Sequence, residues 1–324
     1  MFLPRLGLAA LGVVTALGGA GDRALAQAPA PAPAKPSTLG IFDYSDTSLS
    51  WAFNFTTRDP NVEWSASKNV FTLNHIDAWK YGTNYLNVDL LVSDTRDPEA
   101  PWGGPGHPIP GWGIGYGAVE VYALYRGALS FNQLFNTVAF TAGPVSDVSF
   151  YFGGDINSKN TAMGPRKKDV VVGLQASLKV PGYFNVAAAF YKEWNHNGIV
   201  ELQGNPPGTS VEVDFAPTAT FEAEYMQPLG FTGIPLKVSG RTDVVLPKGP
   251  DGFGRETVTE FQTDNRLVLD LGRLIADKAN VFDVFAGYRF WLNKFGTNPY
   301  PPLVAPLPGT MESTFYVGVT WHVF

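Results

Sequence analysis

Residues 69–94 read NVFTLNHIDAWKYGTNYLNVDLLVSD, two arms about a short KYGTN turn. The second arm sets Leu86, Val88, Leu90 and Val92 against Asn87, Asp89 and Ser93. Strand side chains alternate with period two, so one face of this hairpin is oily and the other wet. A carboxylate at Asp89, in mid-strand, suits a sheet between lipid and water better than one between two apolar cores. A half-solvated strand of a soluble sandwich would share the pattern, so the other segments decide.

About twelve segments from Ser48 onward follow the same rule, many near the length of about 9–11 residues that a tilted strand needs to cross a bilayer. Leu49 to Phe55 places Leu49, Trp51, Phe53 and Phe55 on one face. Ala118 to Arg126 puts Glu120, Tyr122, Leu124 and Arg126 opposite Val119, Val121, Ala123 and Tyr125. Val148 to Asp155 and Val170 to Leu178 are less polar inside. Val186 to Glu193, Thr218 to Met226, Leu236 to Val244, Glu260 to Leu271 and Phe282 to Leu292 continue the alternation. Their polar faces carry Glu222, Glu224, Lys237, Arg241, Asp243, Glu260, Asp264, Arg266 and Arg289. No segment reads as a long amphipathic helix. The fold expected is all-β, an antiparallel transmembrane barrel of about twelve strands.

Connections agree, because a barrel with both termini on the inner side must alternate long outer loops with short inner turns. Residues 98–113, 157–169, 195–210, 246–255 and 295–311 are long, mostly rich in Gly and Pro, and fall at outer positions. Residues 80–84, 180–183 and 227–235 are tighter and fall at inner ones. Residues 127–146 break the rule; they either extend a strand or lie at the interface. The basic run Arg166-Lys167-Lys168 falls in an outer loop, where it would face lipopolysaccharide phosphates or solvent.

The N-terminus supplies the compartment. Arg5, the apolar stretch 6–20 and the small-residue sites Ala24-Leu25-Ala26 and Ala26-Gln27-Ala28 follow the order of a secretory signal, with cleavage expected after Ala26 or Ala28. Residues 1–26 are thus read as signal, 27–38 as an Ala/Pro-rich spacer and 39–324 as one barrel. The last strand, Phe315 to Phe324, ends on an aromatic residue, similar to the signal that outer-membrane barrels present to their insertion machinery. Its apolar face, Phe315, Val317, Val319, Trp321 and Val323, is offset by one from the usual pattern.

Composition narrows the chemistry. The 324 residues carry a net charge of −6, which argues against nucleic acid as a partner. No cysteine is present, which excludes disulfides, Cys-ligated metal and a thiol nucleophile. Aromatic residues make up 14% and charged residues 16%, as expected where rings form interfacial girdles, although a soluble all-β protein could also carry them. His75, His107, His196 and His322 show no Ser or Asp partner in sequence, and no metal-ligand or cofactor spacing appears. Neither a cofactor nor a catalytic site is expected, and an outer-membrane hydrolase is the weakest alternative.

His75, Trp79, Lys80, Tyr81, Gly82, Asn84 and Asp89 resemble the segment E-H-x-x-G-W-K-Y-G-D-N-F-F-F-x-D of the Tsx-like nucleoside-specific channels of bacterial outer membranes. Gly143-Pro144-Val145-Ser146-Asp147-Val148 is similar to that family's G-P-[IV]-K-D stretch. Asn74, Asp77-Ala78, Thr83, Tyr85 and Leu86 depart from it, and the two segments cover about a tenth of the chain. The resemblance implies a channel for nucleosides or similar small polar solutes, embedded among outer-membrane lipids and lipopolysaccharide. Expected lumen-wall contacts are Asp89, Glu120, Tyr122, Glu222, Glu224, Lys237, Arg241, Asp243, Glu260, Asp264, Arg266 and Arg289. Inward Tyr151, Tyr191 and Tyr316 either contact solute or pack. A general narrow porin and a structural or adhesion barrel, whose loops including Trp102 and Trp112 bind outside partners, remain open.

Overall fold

The structure is a computed structural model and describes residues 42–99, 117–302 and 305–323. The signal segment, the spacer, Trp102, His107, Trp112 and Phe324 lie outside the described residues. The described residues form thirteen strands: β1 (Phe42–Thr57), β2 (Ala66–Trp79), β3 (Gly82–Ser93), β4 (Val119–Ser130), β5 (Val145–Lys159), β6 (Lys168–Leu178), β7 (Tyr183–His196), β8 (Glu212–Asp214), β9 (Thr218–Pro228), β10 (Leu236–Val245), β11 (Glu260–Asp270), β12 (Phe282–Leu292) and β13 (Met311–His322). All but β8 pair antiparallel in a ring, which β1 and β13 close on one side and β6 and β7 on the other. Twelve strands therefore make a closed barrel, and β8 is a three-residue addition to β7 within a loop.

The side chains are arranged inside out relative to a water-soluble protein, whose surface mixes polar with scattered apolar residues. Leu49, Phe71, Phe221, Phe315 and Trp321 stand exposed on the outer face. Glu312 and Thr314, each 1% exposed, are among the most buried side chains. Registers place the outward residues in cross-strand rows such as Trp51–Phe71–Leu90–Val121. The inward rows include Ser50–Thr72–Asp89–Tyr122. The alternation read from residues 86–93 holds, with Leu91 joining Asn87, Asp89 and Ser93 inside.

Strand ends differ from the sequence reading. The first strand begins at Phe42 rather than Leu49, and β4 runs on to Ser130. In residues 127–146 strand extension thus accounts for the first part. The remainder holds the short helix α1 (Phe131–Leu134), capped by Ser130, whose side chain accepts a bond from the Gln133 N–H. There Phe131, Phe135 and Phe140 cluster at centroid separations of 5.1–6.2 Å, and Phe135 is 65% exposed. Two more short helices are α2 (Gly198–Leu202), in a loop beside β8, and α3 (Leu271–Ala276), whose first turn is capped by Asp270.

Two glycines are required by rings lying flat on the inner wall. A Cβ at Gly287 would sit 2.1 Å from Tyr316 Cζ, and one at Gly318 2.3 Å from Phe285 Cζ. An aromatic ring covering a glycine on the neighbouring strand protects its bare backbone and keeps the ring out of the lumen.

Candidate functional site

The inward faces converge on a charged node at Glu222 of β9. Its carboxylate accepts two bonds of 3.1 Å from Arg126, one of 2.7 Å from Arg241 and one of 2.6 Å from the Tyr151 hydroxyl. Arg126 also donates to Asp155 at 2.6 Å, and Arg241 to both oxygens of Asp243 at 2.9 and 3.1 Å. Arg126 lies on β4, and β5, β6 and β7 intervene between it and β9. The pair is therefore a chord across part of the lumen rather than a rung between neighbouring strands. Behind the chord, Ala128, Tyr151, Val171, Ala187, Ala189, Tyr191 and Val245 form an apolar cluster that fills that sector. Four-way satisfaction of Glu222 is what allows a carboxylate to be this buried.

The opposite bank is flatter. Ala52, Val70, Val268, Phe285 and Tyr316 cluster there with Leu91 packed against them. The Arg266 guanidinium lies over both rings, 5.1 Å from the Phe285 centroid and 5.5 Å from that of Tyr316. Arg266 donates to the Tyr316 hydroxyl at 3.0 Å, and that hydroxyl donates to Asp264. Arg289 grips Asp264 at 2.8 and 2.7 Å. A solute in the lumen would meet acid and base on one bank and ring faces on the other.

All twelve residues singled out in the sequence face inward. The structure brings Glu222, Arg241 and Asp243 together in the node, and Asp264, Arg266 and Arg289 on the ring bank. Tyr122 donates to Asp155 at 2.5 Å, which joins it to the node. Lys237 stands apart, 2.9 Å from Asp283 at the short-turn end. Asp89, Glu120, Glu224 and Glu260 accept only from neutral donors: Thr72 (2.6 Å), Asn157 (2.7 Å), Asn185 (3.3 Å), and Trp291 (2.7 Å) with the Phe295 N–H (3.3 Å). Tyr151, Tyr191 and Tyr316 are inward, each with its hydroxyl committed to a carboxylate.

At the long-loop end a lattice of alternating charge draws the loops over the barrel. Glu99 and Asp97 flank Lys159 at 2.5 and 3.4 Å; Asp97 and Asp59 flank Lys68 at 3.6 and 3.8 Å; Asp59 and Glu312 flank Lys294 at 3.0 and 2.7 Å. Burial pushes the Asp59 carboxyl up, but Lys294, Lys68 and Lys159 outweigh it and hold it well below the usual carboxylate range. Burial pulls the Lys294 amine down, and Asp59 and Glu312 more than restore it, so its pKa is raised. At Glu99 burial wins over Lys159, and its carboxyl is pushed up to about 7. Sequence reasoning missed this lattice, because Asp59, Asp97, Glu99 and Lys294 sit in connections that have no periodic signal. Lys167 also departs from expectation: it turns in to Asp169 at 2.9 Å and lies 5.8 Å from the Tyr191 centroid, while Arg166 and Lys168 stay exposed. The Asp169 carboxylate, beside the Tyr191 ring, outcompetes solvent for one of the run's three cations.

Each described histidine does have an acidic partner, contrary to the sequence reading. His196 sits 2.6 Å from Glu212 and 3.0 Å from Glu201, and His322 3.0 Å from Asp46 and 3.4 Å from Asp283. His75 lies 3.3 Å from Asp77 and 2.8 Å from the Thr47 hydroxyl, on the outward face near the β2–β3 turn. A hydroxyl, imidazole and carboxylate in a row invite a nucleophilic reading. However, the strands here are paired on both sides, which commits their backbone N–H groups to the sheet and leaves no evident oxyanion donors. Asn84 instead ties Asp77 (2.8 Å) to Tyr125 (2.7 Å), forming a polar band of the kind that marks an interface.

No protein-family model matches the chain, and no curated protein matches it in sequence. Among solved structures it is similar to a KdgM porin in complex with disordered oligogalacturonate, at 8% identity over 86% of this chain and 99% of that one, with a TM-score of 0.39. It is also similar to the translocator domain of the autotransporter NalP from Neisseria meningitidis, at 12% identity over 86% of this chain and 87% of that one, with a TM-score of 0.40. A third is the outer membrane protein OprD from Pseudomonas aeruginosa, at 10% identity over 90% of this chain and 96% of that one, with a TM-score of 0.32.

Proposed function

We propose that the protein is an outer-membrane channel through which small polar solutes diffuse passively, and that nucleosides are the leading solute class. The observation that carries this reading is the split of every crossing strand into an apolar outward face and an inward face bearing all twelve anticipated residues. An apolar outer belt buries itself in lipid at no polar cost, whereas charged groups inside require water or one another. The N-terminal signal and the aromatic end of the last strand fit export and delivery to the barrel insertion machinery. Lipids and lipopolysaccharide would then surround the belt.

Two banks of different chemistry suit a nucleoside. A flat base gains from the Phe285–Tyr316 side, and sugar hydroxyls can donate to carboxylates such as Asp89 and Glu224 that are not already held by cations. Weak contacts spread along a wall permit passage, where a tight site would trap the solute. The test is uptake into liposomes containing the purified protein, comparing nucleosides with sugars and amino acids of similar size. Faster nucleoside entry supports the full reading. Equal entry of all three leaves a general narrow porin and removes the nucleoside claim. The Arg126–Glu222 chord favours a second reading, a structural barrel with a closed lumen, whose signature is no uptake of any solute.

A further inference from the structure

The balance of charge on the inner wall goes beyond the need for polarity. On the twelve crossing strands, inward-facing carboxylates outnumber inward-facing Lys and Arg about two to one. The whole chain carries a net charge of only −6, so the negative excess is concentrated inside the barrel rather than spread over the surface. Among the described residues no Lys or Arg forms an ion pair with Asp89, Glu120, Glu224 or Glu260; they are held by a hydroxyl, two side-chain amides, an indole N–H and one backbone N–H.

A second observation is independent of that census. Hydrogen-bond donors run short at both ends of the lumen. Asp97, fully buried at the long-loop end, has one oxygen without a hydrogen bond, and so does Asp283, 2% exposed at the short-turn end. Each already faces a cation, Lys68 at 3.6 Å for Asp97 and Lys237 at 2.9 Å for Asp283, so acid at both ends exceeds the donors the wall supplies. Low-dielectric walls around a lumen lined with one sign of charge focus the field along its axis.

We propose that the lumen passes cations and neutral solutes in preference to anions, and that Asp89, Glu120, Glu224 and Glu260 set this preference. It rests on the channel reading and narrows the solute class: phosphorylated or carboxylated solutes are disfavoured relative to their neutral or cationic counterparts. Neighbouring charge is cancelled at Glu222, Asp243 and Asp264, where arginines answer it, so those residues shape the path while the other four give it its sign.

The test is the zero-current potential of the purified full-length barrel in a planar bilayer across a KCl gradient. The expected result is a potassium-over-chloride permeability ratio of about tenfold, the lower range of electrostatic enrichment in a charged cleft. Glu224→Gln, whose one side-chain partner is an amide 3.3 Å away, should lower the ratio without threatening the fold. Adding Asp89→Asn, Glu120→Gln and Glu260→Gln should bring it near unity. Conductance with a zero-current potential near zero, or of the anion sign, overturns the inference and leaves the channel standing. A ratio unmoved by Glu224→Gln and by Asp89→Asn overturns the assignment to these carboxylates. Absence of any conductance overturns the channel reading, and this inference with it.

Discussion

Replacing Glu222 by Gln keeps the shape of the node and removes its charge. Two arginines and a tyrosine converge on that carboxylate, within 2.6–3.1 Å. Removing one partner from a buried ion pair costs about 3–5 kcal/mol when the other charge is left alone. Neither arginine is left alone here: Arg126 keeps Asp155 at 2.6 Å, and Arg241 keeps Asp243 at 2.9 Å. The loss should therefore fall near the lower bound, about 3 kcal/mol, or more than a hundredfold in the folding equilibrium. Released from one end of the chord, Arg126 can fall back on Asp155 and widen the path. Urea unfolding in lipid vesicles measures the first effect and single-channel conductance the second. Glu224→Gln, two residues along the same face, is the control and should cost about 1 kcal/mol or less, since only a neutral hydrogen bond changes. An E222Q barrel within about 1 kcal/mol of the parent and of unchanged conductance would refute the chord.

Lys294→Met leaves Asp59 and Glu312 without their nearest cation, 3.0 and 2.7 Å away, and should cost about 3–5 kcal/mol while making the loop at residues 58–65 more open to protease. The same lattice fixes a pH window. Asp59, depressed from an ordinary 3.8, contributes stability that is present above that value and lost as pH falls below it; Lys294, raised from 10.5, contributes stability present below that value and lost as pH rises above it. Glu99, raised from 4.5 to about 7, acts oppositely to Asp59, and its contribution is greatest below 4.5 and fades as pH climbs through 7. Unfolding free energy measured against pH should be highest inside the window of about 4–10, declining gently across 5–7, and a maximum outside it would contradict the lattice. Gly287→Ala brings a methyl 2.1 Å from the Tyr316 ring, which must swing off the wall into the lumen. Conductance should drop and stability fall by about 1–3 kcal/mol, and unchanged conductance would show that the ring does not border the path.

Much of the barrel can be read from the alternation in single strands. Leu86 to Ser93 already separates lipid face from lumen face, and a period of two carries the same assignment to Glu222, Arg241 and Asp264. Alternation gives the face of a residue but neither its height nor what lies across the lumen. Arg126 was visible as an inward residue; that it reaches past three strands to Glu222 depends on barrel diameter and strand stagger, which no local pattern encodes. Asp155 could have been found by counting on from Tyr151 and Gly153, yet it closes a segment whose outward Phe150 and Phe152 dominate the reading. Asp59, Asp97 and Lys294 were out of reach because loops carry no period. The basic run at 166–168 looked like surface, and only the fold shows that Lys167 has Asp169 beneath it.

In the proposed channel, water and solutes pass between the Glu222 node and the Phe285–Tyr316 bank. Single-channel recording of the purified, folded protein in a planar bilayer decides whether they do. Discrete conductance steps, enlarged by Glu222→Gln and reduced by Gly287→Ala, are the predicted result. A bilayer containing verified folded barrels that shows no steps in either the parent or the E222Q variant would contradict it.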